Sequence, residues 1–128
     1  MLLNQTTETY TSDSPDWLAS RHGVGERRSV TLDKSLFTAN THYPNGYFFS
    51  GIPLGRVTSG GKYGPFDSTA SDGRQVLAGF LFAWVDAGTG DVDPVGAMLD
   101  HCKVVAAKLP IAVNSTGVTS AAGRILFY

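Results

Sequence analysis

Glycine and proline fix most of what this chain can become. The stretch from Ser59 to Arg74 carries Gly60, Gly61, Gly64, Pro65 and Gly73, a density that makes it a long ordered loop and not a helix. The apolar segments on either side are correspondingly short. Val30-Thr31-Leu32-Asp33 alternates apolar and polar residues like a half-buried strand, and Phe37 follows a short break. His42-Tyr43-Pro44-Asn45-Gly46 reads as a turn, because proline presets φ and Asn-Gly readily takes positive φ. Tyr47-Phe48-Phe49 is a short aromatic strand ended by Ser50-Gly51. Ile52 to Thr58 is another, with Pro53 near its start, where a missing N–H does least harm. The most apolar run, Val76 to Val85, is too short to cross a bilayer and reads as the central strand of the core, with Trp84 placed inside it. Asp86 to Pro94, with Gly88 and Gly90, is a turn or hairpin loop.

The next segment supports two readings. Val95, Met98, Leu99, Cys102, Val105, Ala106 and Leu109 recur at helical spacing. Against a helix stand the β-branched pair Val104-Val105 and the stop at Leu109-Pro110. The closing Gly123 to Tyr128 is apolar and reads as a last strand tucked into a sheet.

With 128 residues the chain suits one domain, since two cores would each be too small. Hydrophobic residues make up 42% and charged residues only 16%, so the surface carries less charge than most soluble monomers and part of it is expected to be buried against partners. Net charge is −1 and no basic cluster exceeds Arg27-Arg28, which argues against direct nucleic-acid binding. The opening Met1-Leu2-Leu3-Asn4 turns polar at once, unlike a signal peptide or a membrane span. The lone Cys102 allows no intrachain disulfide and is expected to be a small buried hydrophobe. Asn4-Gln5-Thr6 and Asn114-Ser115-Thr116 match a glycosylation sequon, a pattern common by chance.

Residues 1–28 are polar, with Trp17 and Leu18 as their main apolar anchors and Val24 nearby. Such a segment buries too little apolar area to offset its ordering entropy. The chain is therefore expected to divide into a flexible segment, 1–28, and a β-rich domain, 29–128; the segment is either a frayed terminus or an arm that folds onto a partner through Trp17, Leu18 and Val24.

No catalytic, cofactor or metal signature emerges. Gly55 to Lys62 resembles a phosphate loop only superficially, because Arg56 stands five before Gly61 and Tyr63 follows Lys62 where a hydroxyl is needed. Gly23-Val24-Gly25 and Gly88-Thr89-Gly90 lack the third glycine of a dinucleotide site. His22, His42 and His101 are not in metal-ligand spacing, no Gly-x-Ser-x-Gly elbow occurs, and Asp91-Val92-Asp93 is too short for a calcium loop. Two rival classes stay open: a small β-barrel hydrolase or lyase assembling dispersed residues such as His42, Asp67 and His101, and a carbohydrate-binding surface module using Trp17, Tyr43, Tyr47 and Trp84 as stacking platforms.

The block Ser50-Gly51-Ile52-Pro53-Leu54-Gly55-Arg56-Val57-Thr58, continued by Gly61-Lys62-Tyr63-Gly64-Pro65-Phe66-Asp67 and Ala70-Ser71-Asp72-Gly73-Arg74-Gln75, and closed by Gly79-Phe80-Leu81-Phe82, resembles the phage-lambda-type head-decoration proteins. The likeness extends more weakly from about Val30 to Pro110. It implies a mainly β, β-clip-like single domain with an extended N-terminal arm. It further implies a homotrimer at the local threefold positions of a tailed-phage capsid, bound to the major capsid protein on the outside of the virion and reinforcing the head. No enzymatic activity and no cofactor are implied. Gly61, Tyr63, Gly64, Pro65, Asp72 and Gly73 become a structural turn motif, with Tyr63 and Phe66 covering the adjacent sheet. The resemblance also favours a strand over a helix for Val95 to Pro110.

Overall fold

The computed structural model describes residues 16–20, 25, 27–88, 90, 92–121 and 123–128. Nine short strands carry the described fold: β1 (Arg28–Thr31), β2 (Tyr47–Phe48), β3 (Pro53–Arg56), β4 (Tyr63–Pro65), β5 (Gly79–Leu81), β6 (Val85–Asp86), β7 (Val95–Leu99), β8 (Cys102–Val104) and β9 (Ile125–Phe127). Two short helices, α1 (Ala39–His42) and α2 (Ser115–Ser120), interrupt them. The architecture is mainly β, as the sequence implies.

The principal sheet has the order β1-β7-β5-β3-β4, antiparallel throughout. Successive strand residues point to opposite faces, and both faces of this sheet are covered. Leu81 and Met98 pair across β5 and β7 and enter a core with Val30, Leu32, Phe37, Phe48, Ile52, Leu54 and Tyr63. Their neighbours Phe80 and Leu99 also pair, and enter a second core with Trp17, Leu77, Cys102, Val104, Ala121 and Ile125. Two smaller ladders, antiparallel β2-β6 and parallel β8-β9, complete the body.

Two-sided burial explains the ambiguous segment. It forms β7 and β8, broken at Asp100-His101, so the strand reading holds as far as Val104, beyond which Ala106–Lys108 closes into a 3-10 turn before Pro110. Because Met98 and Leu99 serve different cores, adjacent rather than alternate residues are apolar, and this imitates helical spacing.

The run Val76 to Val85 is not one central strand. Only Gly79–Leu81 lies in the main sheet, and Val85 has moved to the β2-β6 ladder. Its residues serve several surfaces in turn, so continuous hydrophobicity here does not mean a continuous strand. Gly79 sits where a Cβ would lie 2.3 Å from the Leu99 carbonyl, which lets β5 and β7 approach. Trp84, read from sequence as core, is 52% exposed, with its ring edge-on to Tyr47 at 5.7 Å.

Trp17 departs from expectation in the opposite sense. It is only 2% exposed, packed at 5.4 Å from Phe80 in the second core. Leu18 bridges to Val104, so this part of the expected arm belongs to the body, and Arg28 already opens β1. An isolated tryptophan in a polar segment reads from sequence as an anchor for a partner, whereas here the domain itself supplies the socket. Val24 and most of the remaining 1–28 segment lie outside the described residues.

Helix α2 was not legible as a helix, although Asn114 carries its signal. The Asn114 side chain accepts a hydrogen bond from the Gly117 amide at 2.9 Å, a standard N-cap. Beyond α2, Arg124 turns its guanidinium inward to donate to the carbonyls of Leu77 (2.8 Å), Ala78 (3.0 Å) and Asp100 (3.4 Å). It thereby ties the β9 approach to two distant loops. Arg124→Met is expected to cost about 2–3 kcal/mol, because charge-assisted bonds are lost and partly buried carbonyls are left unsatisfied. Equilibrium urea unfolding measures this, and a change below about 0.5 kcal/mol contradicts it.

Candidate functional site

The turn motif is assembled around β3. The β3-β4 hairpin pairs Gly55 with Gly64 and Arg56 with Tyr63. Its connection closes through Val57 N–H to the Lys62 carbonyl at 2.8 Å, with Gly60 and Gly61 at φ of 96° and 75°. Tyr63 is buried, and its carbonyl accepts from the Asp33 amide at 2.8 Å, joining the hairpin to the end of β1.

The second turn folds back over β3. Thr58 N–H donates to the Asp72 carbonyl at 2.9 Å and Asp67 N–H to the Arg74 carbonyl at 3.1 Å. Gly73 adopts φ of 116°, and a Cβ there would lie 2.3 Å from the Arg56 carbonyl. At Gly55 a Cβ would lie 2.5 Å from the Arg74 Cα, so both glycines are required by close backbone approach. Arg74 Nε donates to the Asp72 carboxylate at 3.0 Å and holds that carboxyl below its ordinary pKa. Gly64 faces Leu36 and the Arg74 side chain, and Phe66, following Pro65, packs on the second core. Gly61 and Gly73 thus lie in the two turns, whereas Tyr63, Gly64 and Pro65 form β4 inside the stretch that reads from sequence as loop, and Tyr63 and Phe66 enter the first and second cores.

Beside this scaffold is an open depression of about 490 Å³ lined by Asp33, Lys34, Ser35, Phe37, Tyr43, Gly90 and Asp93. Its charges are mutually engaged. Lys34 Nζ donates to the Gly90 carbonyl at 2.8 Å and lies 5.6 Å from the Tyr43 ring centre. The Asp93 carboxylate accepts from the Lys34 amide at 3.0 Å and from Lys62 Nζ at 2.5 Å, which holds the Asp93 carboxyl low and the Lys62 amine high. Ser35 Oγ donates to Asp33 at 2.6 Å in a local turn. Together these contacts staple the β6-β7 connection to the residues after β1.

The residues named for a dispersed hydrolase site occupy separate local settings. His42 is buried at the end of α1, edge-on to Phe37 at 5.2 Å, and its Nδ1 accepts from the Thr38 amide at 3.0 Å. Asp67 accepts from the Thr69 amide and hydroxyl after β4. His101 is exposed between β7 and β8. Cys102 is buried, and burial pushes its thiol up to about 12, which leaves little thiolate for nucleophilic chemistry. Among the described residues, no group of three or more His, Cys, Asp or Glu could hold a metal ion, and no helix is long and apolar enough to cross a membrane.

His42 gives the fold a pH response. Burial lowers its pKa from 6.5, so the folded chain keeps it neutral while the unfolded chain takes up a proton. Stability is therefore full above about pH 7 and falls as pH drops through 6.5. The lowered aspartates Asp67, Asp72 and Asp93 act in the same direction in a separate, more acid window, below their ordinary 3.8. Melting temperature followed between about pH 7.5 and 5 should decline in the wild type and flatten in His42→Gln. Equal slopes for the two proteins contradict the assignment.

The described surface also exposes Trp84, Val92, Val95, Leu126 and Tyr128. Neither the curated proteins nor the solved structures gave a match to this chain. A family model, bacteriophage lambda head decoration protein D, matches residues 18–124, a span that takes in the whole five-stranded sheet and both glycine turns. The chain thus belongs to the bacteriophage lambda head decoration protein D family, whose role is structural, on the phage capsid.

Proposed function

We propose that this protein binds the outside of a tailed-phage head as a homotrimer at local threefold positions, contacts the major capsid protein, and stabilises the shell against internal DNA pressure. The family match carries this reading. Low charge content and the large apolar side chains at the surface support it, since such side chains are what association would cover. Light scattering at micromolar concentration should give three chains per particle. A monomer that remains monomeric on the capsid overturns the trimer.

Within this proposal the arm keeps its role but changes its root. Trp17 and Leu18 fix it to the body, and the polar segment upstream of them is the part that reaches the capsid protein, adding main-chain hydrogen bonds at an exposed strand edge. Three arms acting together turn weak single contacts into durable attachment. Deleting residues 1–15 should leave the melting temperature unchanged and weaken capsid binding at least about tenfold. Undiminished decoration by the shortened protein contradicts the arm.

A further inference from the structure

The Trp17 seat has the features of a recognition site. Residues 17–19 run antiparallel to β8, with Val105 N–H donating to the Trp17 carbonyl at 2.7 Å and Ala19 N–H to the Lys103 carbonyl at 2.8 Å. The segment thus adds an antiparallel bridge, Leu18 to Val104, to the β8-β9 ladder. Its indole fills a shaped socket. Phe80 lies on one side, and Gly51 packs so closely that a Cβ there would lie 3.0 Å from the indole Cδ1. Trp17 Nε1 donates to Ser50 Oγ at 3.0 Å, and Ser50 in turn donates to the Phe82 carbonyl at 2.5 Å. Main-chain pairing supplies affinity and a single deep side-chain pocket supplies specificity, which is the chemistry of strand addition.

We propose that this seat is a strand-acceptor site that takes residues 16–20 from a second copy of this chain as well as from its own. These hydrogen bonds reach Ser50, Lys103 and Val105, all remote in sequence from Trp17, so the same bonds form whichever copy delivers the strand. Residues 21–27, which join the strand to β1, include Gly23 and Gly25. Exchange of an element whose contacts are identical in cis and in trans costs little beyond association itself, and association in a small oligomer raises the local concentration of the donor. The exchange requires no capsid and stands or falls apart from the capsid role.

Full-length Ala19→Cys and Lys103→Cys proteins, given unlike masses by a tag, test this directly. After mixing, incubation and mild oxidation, the mixture should yield covalent dimers of unlike chains, while the double variant closes within one chain and reports the register. Cys102 is buried and stays out of the exchange. Internal closure in the double variant with no mixed dimers from the single variants overturns the proposal. As a second readout, a peptide of residues 12–20 added to full-length Trp17→Ala should raise its melting temperature, and the same peptide with alanine for tryptophan should not. No rise with the native peptide likewise counts against the site.

Discussion

Trp17→Ala is expected to destabilise the protein by about 3–5 kcal/mol, the range for removing a buried aromatic from a core that cannot collapse around the cavity. The indole is 2% exposed among Leu77, Phe80, Leu99 and Val104, and its loss also deprives Ser50 of its donor. Trp17→Phe keeps a ring in the socket and loses the N–H, so a smaller cost of about 1–2 kcal/mol is expected. Chemical denaturation followed by circular dichroism gives both values. A Trp17→Ala protein with unchanged stability but weakened partner binding would return this residue to the role that sequence alone suggested.

The second large effect is expected at Gly73. Alanine there meets two obstacles at once: a backbone at φ of 116°, which L residues rarely adopt, and a carbonyl 2.3 Å from the new Cβ. Relief requires Arg56 or Thr58, on and just after β3, to shift, and the β3-β4 hairpin with them. A loss of at least about 3 kcal/mol, or failure to accumulate as soluble protein, is expected. Gly60→Ala is the control, since its φ is 96° but nothing lies within 4 Å. It should cost only about 1–2 kcal/mol of backbone strain. Equal losses at the two positions would show that close approach to β3 is not what requires Gly73.

These two residues also show what could be read in advance. The glycine turns were legible because glycine and proline act locally, through φ and the missing side chain. Gly61 and Gly73 lie in turns at positive φ, whereas Gly64 and Pro65 lie on β4, a strand too short and too rich in glycine and proline to be read as one. Trp17 was not legible, because its partners Ser50, Phe80 and Val104 are far along the chain and no local pattern encodes the socket they form. Trp84 failed for the converse reason: hydropathy of the Val76 to Val85 run cannot tell that the chain leaves the sheet after Leu81 and brings Trp84 to the surface beside Tyr47. The doubling of the core across β5 and β7 blurred the strand periodicity of Val95 to Leu99. Asn114 matches a chance sequon in sequence, while its position before Ser115 is that of a helix cap.

Attachment to a phage shell is tested most directly by sedimentation. Tailed-phage capsids prepared without their own decoration protein should be incubated with increasing amounts of this protein and pelleted. Binding is expected to saturate at a fixed ratio of three chains per local threefold position, and the decorated capsids should withstand higher temperature before releasing DNA. Failure to co-sediment with the capsids of its own phage at micromolar concentration, or binding that rises without saturation, would contradict the account.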